Sequence, residues 1–152
     1  MVMADNNQYY QWATSRCAQK EYCRSEIAKK LLAKGATPDE VDETLGRLEA
    51  ESYIDEARYA RAFVNDKFRF DHWGRIKIRY ALRQKGVSDF DTDDALALID
   101  DDDYRQALAD FIASRRRTTK GDMPYAVNQK IARAAITRGF EPQMVFDALS
   151  VE

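Results

Sequence analysis

Three arginines recur at four-residue intervals near the middle of the chain: Arg75, Arg79 and Arg83. Residues four apart lie one above the other on an α-helix, so these side chains form a stripe along one face. A guanidinium group offers forked N–H donors that match phosphate and carboxylate oxygens. The spacing therefore predicts a cationic ridge that binds anions, flanked by Lys77 and Lys85. The alternative is a solvated helix face paired with acidic helices of the same chain.

A second basic group is the run Arg115–Arg117, which ends a helical segment. Cations suit the negative end of a helix. Three successive side chains point in different directions around a helix, however, so they cannot all serve the terminal carbonyls. We therefore predict a binding surface here as well. Together with two bases from an equivalent earlier segment, the candidate binding residues are Lys67, Arg69, Arg75, Lys77, Arg79, Arg83, Lys85, Arg115, Arg116 and Arg117.

Four aromatic residues are interspersed with these bases: Phe68, Phe70, Trp73 and Tyr80. Proteins that bind single-stranded nucleic acid combine a basic groove with aromatic rings that stack on bases. Aromatic residues at a junction of two helices also pack in the core, and Trp12 and Tyr22 repeat the placement upstream. We therefore favour packing for these rings and keep base stacking as the alternative.

The chain offers no recognisable catalytic arrangement. Its only histidine, His72, has no Cys or Ser near it in sequence, and neither a phosphate-binding Gly-x-x-x-x-Gly-Lys loop nor a Gly-x-Gly-x-x-Gly turn occurs. The run Asp100–Asp103 lacks the alternating ligands, central Gly and distal Glu of a calcium loop, and helix capping explains it. We predict a protein that is not an enzyme and uses no metal or cofactor.

Composition predicts a soluble, ordered chain. It is 45% hydrophobic and 33% charged, with a net charge of -2. No apolar run approaches the roughly 18 to 20 residues of a membrane span, and the first residues lack a leader pattern, so we expect a cytoplasmic protein without membrane contact. Charge is sorted along the chain: Asp89–Asp103 holds eight Asp and no base, whereas Lys67–Lys85 holds seven bases and one acid.

A repeat of about fifty residues organises the sequence. Three similar segments end at Gly35, Gly86 and Gly139, which are 51 and 53 residues apart. Each Gly follows a base and has an Ile eight positions before it, a pattern typical of an amphipathic helix closed by a left-handed Gly. A second helix is predicted after each Gly, and Thr37 and Glu40 form a capping box at the first.

These repeats predict an all-α fold of three tandem three-helix repeats in an elongated, curved array, since a single short unit cannot bury both of its faces. The expected divisions are a leading helix over residues 1–22, repeat 1 over 23–73, repeat 2 over 74–120 and a truncated repeat 3 over 121–152. Helices are expected near residues 7–22, 25–34, 38–50, 55–71, 74–85, 89–100, 102–117 and, as a pair, 124–149, and no strand is predicted.

The segment from Tyr53 to Gly86 resembles the RecX family. The matching pattern is an Asp, a Tyr-Ala pair, an aromatic, a basic tract, Gly-x-x-x-Ile and a Leu before Lys-Gly: Asp55, Tyr59, Ala60, Phe63, Lys67, Arg69, Gly74, Ile78, Leu82, Lys85 and Gly86. The segment Cys23 to Gly35 is similar to the family's opening motif, and the likeness extends from Tyr22 to Leu149.

The resemblance implies three tandem three-helix units that bind the RecA filament on DNA and modulate, usually inhibit, RecA activity in recombination and the SOS response. The expected partners are the RecA filament and, weakly or through it, single- or double-stranded DNA, and we expect a monomer. Two alternatives stay open. One is a direct DNA-binding protein with helix-turn-helix-like pairs, and the other is a generic helical-repeat scaffold for other proteins.

Overall fold

The computed structural model describes residues 2–150, with side chains from Asn7 onward. Within that part all regular secondary structure is helical, so the prediction of an all-α fold is confirmed. Nine helices follow one another: α1 (Val2–Cys17), α2 (Arg24–Ala33), α3 (Pro38–Ala50), α4 (Glu56–Arg69), α5 (Arg75–Gln84), α6 (Asp89–Leu96), α7 (Asp101–Thr118), α8 (Pro124–Thr137) and α9 (Pro142–Ser150). None of these nine is long and apolar enough to cross a membrane.

The three predicted Gly stops all have left-handed backbones, with φ of 100° at Gly35, 80° at Gly86 and 106° at Gly139. Each closes its helix with the paired hydrogen bonds of a Schellman motif. In the first, the Gly35 N–H donates to Leu32 O at 3.0 Å and the Ala36 N–H donates to Leu31 O at 3.1 Å. A side chain at these positions would be strained, which is why Gly recurs there.

The predicted capping box begins α3. The Glu40 N–H donates to the Thr37 hydroxyl at 3.2 Å, and the Thr37 N–H donates back to Glu40 Oε1 at 2.8 Å. Pro38 occupies the first turn, where its missing N–H costs nothing.

Two helices end at least four residues earlier than the sequence predicts. α1 ends at Cys17 instead of residue 22 and is followed by a turn, and Cys23 is extended (φ -90°, ψ 167°) at the start of α2. α6 ends at Leu96 instead of residue 100, and Asp100 is extended so that its carboxylate accepts the Asp103 N–H at 3.1 Å to begin α7. The cap of α7 therefore prevents α6 from continuing to residue 100.

Contacts divide the chain into two compact units. The first unit comprises the chain up to Ala62 together with Leu82–Thr92, and the second comprises Phe63–Ala81 and the chain from Asp93 onward. In the first unit, α3 packs against α1 and α2 around a core that includes Ile27, Leu31 and Leu45. In the second unit, α7, α8 and α9 pack on one another, with Tyr104 and Phe140 fully buried.

Candidate functional site

Arg75, the first residue of the predicted cationic stripe, makes a network of contacts inside the second unit. Its guanidinium donates to Glu141 Oε2 at 3.0 Å and to Asp101 Oδ1 at 3.2 Å. The same group lies over the Tyr104 ring, with Cζ 3.8 Å from the ring centroid. Arg75 therefore connects the start of α5 to α7 and to the residue that precedes α9.

Tyr104 is the centre of this network. Its hydroxyl accepts the Arg75 backbone N–H at 2.9 Å and donates to a Glu141 carboxylate oxygen. Burial, and next the hydrogen bond to Glu141, raise the pKa of Tyr104 well above its usual value. Its ring stacks on Phe68 at 5.8 Å and contacts Phe140 at 5.4 Å between centroids. The hydroxyl thus satisfies a helix-start amide that would otherwise be buried without a partner.

The next two arginines of the stripe pair with the acidic helix α6. In the second unit, Arg79 forms an ion pair with Asp93. In the first unit, Arg83 makes a forked contact with Asp89, Nε to Oδ1 at 2.9 Å and Nη2 to Oδ2 at 3.2 Å. The acidic run seen in the sequence supplies both carboxylates, so the structure has the charge pairing that we kept as the alternative to a free ridge.

Lys85, at the end of α5, is bound to Glu26 in the first unit, with Nζ 3.0 Å from Oε2. Burial of Glu26 alone would raise its pKa, but hydrogen bonds from the Cys23 N–H and from Lys85 outweigh it and lower the pKa. Tyr59 also donates its hydroxyl to Glu26, at 3.3 Å. Lys85 is therefore part of a partly buried polar cluster.

The bases around the α4–α5 junction surround Trp73. The ammonium groups of Lys67 and Lys77 lie 4.8 Å and 4.5 Å from the Trp73 ring centroid. Lys67 also pairs with Asp71 at 2.9 Å, and Arg69 donates to the Asn65 side chain at 2.8 Å. Neither Lys77 nor Arg69 has an ion pair with a described acidic side chain.

The structure separates the four interspersed aromatics into two kinds. Phe68 is buried, and Trp73 packs edge-on against Phe63 with centroids 6.4 Å apart, as the packing interpretation predicts. Phe70 and Tyr80 are 74% and 65% exposed, so packing does not explain them.

The run Arg115–Arg117 reaches three different surroundings. Arg115 lies over the Phe111 ring, with Cζ 5.3 Å from the centroid. Arg116 donates to the Asn128 side chain at 3.1 Å, and Arg117 is exposed. The divergence follows from the 100° step between successive helical residues.

Arg115 borders a cleft between α7 and α8 that the sequence analysis missed. This α7–α8 cleft has a volume of about 370 Å³. Its lining is basic or small and includes no acid: Arg115, Lys130, Arg133, Ala134, Thr137 and Arg138. Lys130 and Arg133 share one face of α8, because they are three residues apart, and Arg138 directly follows the helix. That spacing was a readable signal, but only the packing of α8 on α7 brings Arg115 to it.

An aromatic ring between two cations occurs at equivalent places in both units. In the second unit, Arg115 and Arg138 lie 5.3 Å and 5.2 Å from the Phe111 centroid. The equivalent ring in the first unit is Trp12, where Arg16 and Lys34 lie 5.4 Å and 4.9 Å from the centroid.

Trp12 and Lys34 also line a cavity of about 310 Å³. In both units one cation lies a helical turn after the ring, and the other directly precedes the Gly stop.

The described side chains, from Asn7 to Ser150, include no group of three or more His, Cys, Asp or Glu placed to hold a metal ion.

Comparisons with known proteins identify two family models in the chain. The model described as RecX, first three-helix domain, matches residues 10–48, and the model described as RecX, second three-helix domain, matches residues 55–96. These ranges group α1 with α2 and α3, one helix earlier than the repeat boundaries expected from the Gly spacing.

Curated relatives agree with these models. A regulatory protein RecX from Pseudomonas fluorescens is 33% identical over 135 residues, which cover 88% of this chain and 84% of the relative. Another, from Prosthecochloris aestuarii, is 30% identical over 132 residues, which cover 86% and 83%.

Solved structures show the same fold. The crystal structure of a regulatory protein RecX superposes with a TM-score of 0.90 at 25% identity, covering 99% of this chain and 76% of the other. The crystal structure of RecX from Lactobacillus salivarius superposes with a TM-score of 0.88 at 21% identity, covering 98% and 97%. The family models, the curated relatives and the shared fold together show that this chain belongs to the RecX family of regulatory proteins.

Proposed function

We propose that this protein is a non-enzymatic regulator that binds the RecA filament on DNA and inhibits its recombinase, ATPase and co-protease activities in DNA repair and the SOS response. Membership of a family of regulatory proteins carries the proposal. Acting on a DNA-bound filament would place the protein in the cytoplasm.

The helical repeats suit a polymeric target. Two places in the chain, the Trp12 and Phe111 sites, offer a similar basic and aromatic surface. Several weak contacts on one chain reinforce one another, because each bound module raises the effective concentration of the next. A ligand that prefers one state of the filament shifts assembly or activity toward that state, and differential affinity is the only requirement.

The ion pairs rank the candidate binding residues. Arg75 and Lys85 hold partly buried carboxylates and serve the fold, and Arg79 would have to leave Asp93 before it met a partner. We therefore assign first contact to candidates whose charge is not paired with a described acid: Arg69, Lys77, Arg115 and Arg117. The arginines of the α5 stripe would contact the filament only after these residues.

RecA ATPase on single-stranded DNA, measured against added protein, tests the proposal. We expect inhibition, and inhibition at substoichiometric amounts indicates capping or disassembly of filaments. The double variant Arg115→Glu/Arg117→Glu should inhibit much less than wild type, whereas Arg105→Glu/Arg61→Glu carries the same change in charge elsewhere and should inhibit normally. ATPase that stays at its starting rate with wild-type protein in excess would refute the function.

A second candidate, direct DNA binding, is favoured by the acid-free α7–α8 cleft. It predicts tight binding to naked DNA with a steep salt dependence. Anisotropy titrations of labelled DNA with and without RecA separate the two, since the first candidate predicts much stronger binding once RecA coats the strand.

A further inference from the structure

The α7–α8 cleft concentrates positive charge that the protein does not neutralise. Lys130 Nζ donates to the backbone carbonyl of Lys120 at 3.1 Å, and Arg138 Nη1 donates to the carbonyl of Asp71 at 3.1 Å. Both acceptors are uncharged. The Arg115 guanidinium lies over the Phe111 ring, and neither Arg115 nor Arg133 has an ion pair with a described acid.

This sets the cleft apart from the stripe of α5. Each arginine of the α5 stripe meets a carboxylate, whereas none of the four cleft bases has an ion pair with a described acid. Four like charges around one small volume repel one another, a cost that a bound anion removes. The chain has a net charge of -2, so acidic residues are plentiful, yet none of them lines the cleft.

The shape of the cleft fits a backbone phosphate. Ala134 and Thr137 are the small residues of the lining, so a ligand can approach α8 closely between the longer basic side chains. Arg115, Arg133 and Arg138 offer forked N–H donors, and Lys130 adds a mobile point charge. The volume of about 370 Å³ accommodates a sugar-phosphate unit.

Recurrence of the arrangement favours a repetitive ligand over an isolated acidic side chain. The Trp12 site has the same order of cation, ring and cation in the first unit. A nucleic-acid strand carries a charge at every nucleotide and a base beside it, so it suits repeated sites that pair cations with rings.

We propose that the α7–α8 cleft is a phosphodiester-binding site that holds the backbone of single-stranded DNA through Arg115, Lys130, Arg133 and Arg138. This site rests on the proposed function, because a RecA filament contains single-stranded DNA. The binding of DNA to the cleft can nevertheless be measured without recombinase.

The test is an anisotropy titration of a fluorescein-labelled oligothymidylate over a series of salt concentrations. The variant Lys130→Gln/Arg133→Gln alters two exposed side chains, so it retains the fold. We expect about tenfold weaker binding at low salt and a log-log salt slope shallower by about 1.4, because each phosphate contact on a single strand contributes about 0.7. Lys130→Arg/Arg133→Lys, which keeps both charges, should bind nearly as wild type.

Arg61→Gln/Arg105→Gln is the matched control, because it removes two exposed charges outside the cleft. It should leave the affinity within about twofold and the slope unchanged. Equal losses in the cleft variant and the control would overturn the site, since only net charge would then matter. An unchanged slope in the cleft variant would overturn it too.

RecA ATPase separates this proposal from the broader one. Wild-type protein that binds the oligonucleotide through the cleft but leaves RecA ATPase unaffected would refute the proposed function and support the site. A cleft variant that binds the oligonucleotide normally but no longer inhibits RecA would show that the cleft meets the recombinase itself, which refutes the phosphate assignment and supports the proposed function.

Discussion

Replacing Tyr104 with phenylalanine removes one oxygen atom and leaves the aromatic packing intact. The hydroxyl accepts the Arg75 N–H at 2.9 Å and donates to Glu141. The ring contacts with Phe68 and Phe140 do not involve it. The variant therefore isolates two polar contacts from the surrounding core.

The expected loss of stability follows from those two contacts. A neutral hydrogen bond contributes about 0.5 to 1.5 kcal/mol and one to a charged group about 1.5 to 3 kcal/mol. The sum is a decrease of about 2 to 4 kcal/mol in the free energy of unfolding. For a chain of this size each kcal/mol lowers Tm by about 2 to 4 °C, so a loss near ~3 kcal/mol lowers it by about 6 to 12 °C.

Urea unfolding followed by circular dichroism measures this change. The raised pKa of Tyr104 means that its stabilising contribution is fully present below the unfolded value of 10.0. The difference between variant and wild type should therefore be constant from about pH 6 to about pH 9. Tyr125→Phe is the matched control, because Tyr125 is 74% exposed and should unfold as wild type. A Tyr104→Phe protein within about 0.5 kcal/mol of wild type would refute the role assigned to the hydroxyl.

Gly74→Ala should destabilise the protein by several kcal/mol, because its Cβ would lie 2.3 Å from the backbone carbon of Gly139. Gly46→Ala lies in α3 with no atom within 4 Å of the added Cβ, so it should instead raise stability by about 0.5 to 1 kcal/mol. If both variants changed the free energy of unfolding in urea by the same amount, the close packing of Gly74 on Gly139 would be contradicted. Glu26→Gln should lower stability at neutral pH, since it removes the charge that Lys85 meets. Because the pKa of Glu26 is lowered, its contribution to stability is present above the unfolded value of 4.5 and is lost as pH falls through the folded pKa. The stabilities of the variant and wild type in urea melts should therefore converge in acid. A difference that persists in acid would show that the charge of Glu26 is not the cause of the loss.

The sequence predicted those parts of the fold that depend on local chemistry. Gly35 and Thr37 act through neighbours within five residues, so a Schellman motif and a capping box can be read from the order of residues alone. The repeat followed from the same signals, because each copy carries its own helix stop. The end of α6 was less predictable, because the Asp100 cap that limits it belongs to the next helix.

The candidate site was harder to predict because its contacts join distant segments. Arg75 and Glu141 are 66 residues apart, and nothing in the local pattern distinguishes this arginine from Arg79 or Arg83. The α7–α8 cleft depends on the same kind of information. The run Arg115–Arg117 was visible, but Arg133 became a neighbour only through helix packing.

The contact between Gly74 and Gly139 makes two distant parts of the second unit depend on each other. The Gly74 N–H donates to Arg138 O at 2.9 Å, and the Ile76 N–H donates to Gly139 O at 3.0 Å. The first N–H groups of α5 thus donate to the carbonyls of the two residues that follow α8, so the end of α8 supplies acceptors for the start of α5. Melting of α8 would release the first turn of α5 in the same event, and amide exchange at Gly74 and Ile76 should report the opening of the basic cleft far along the chain.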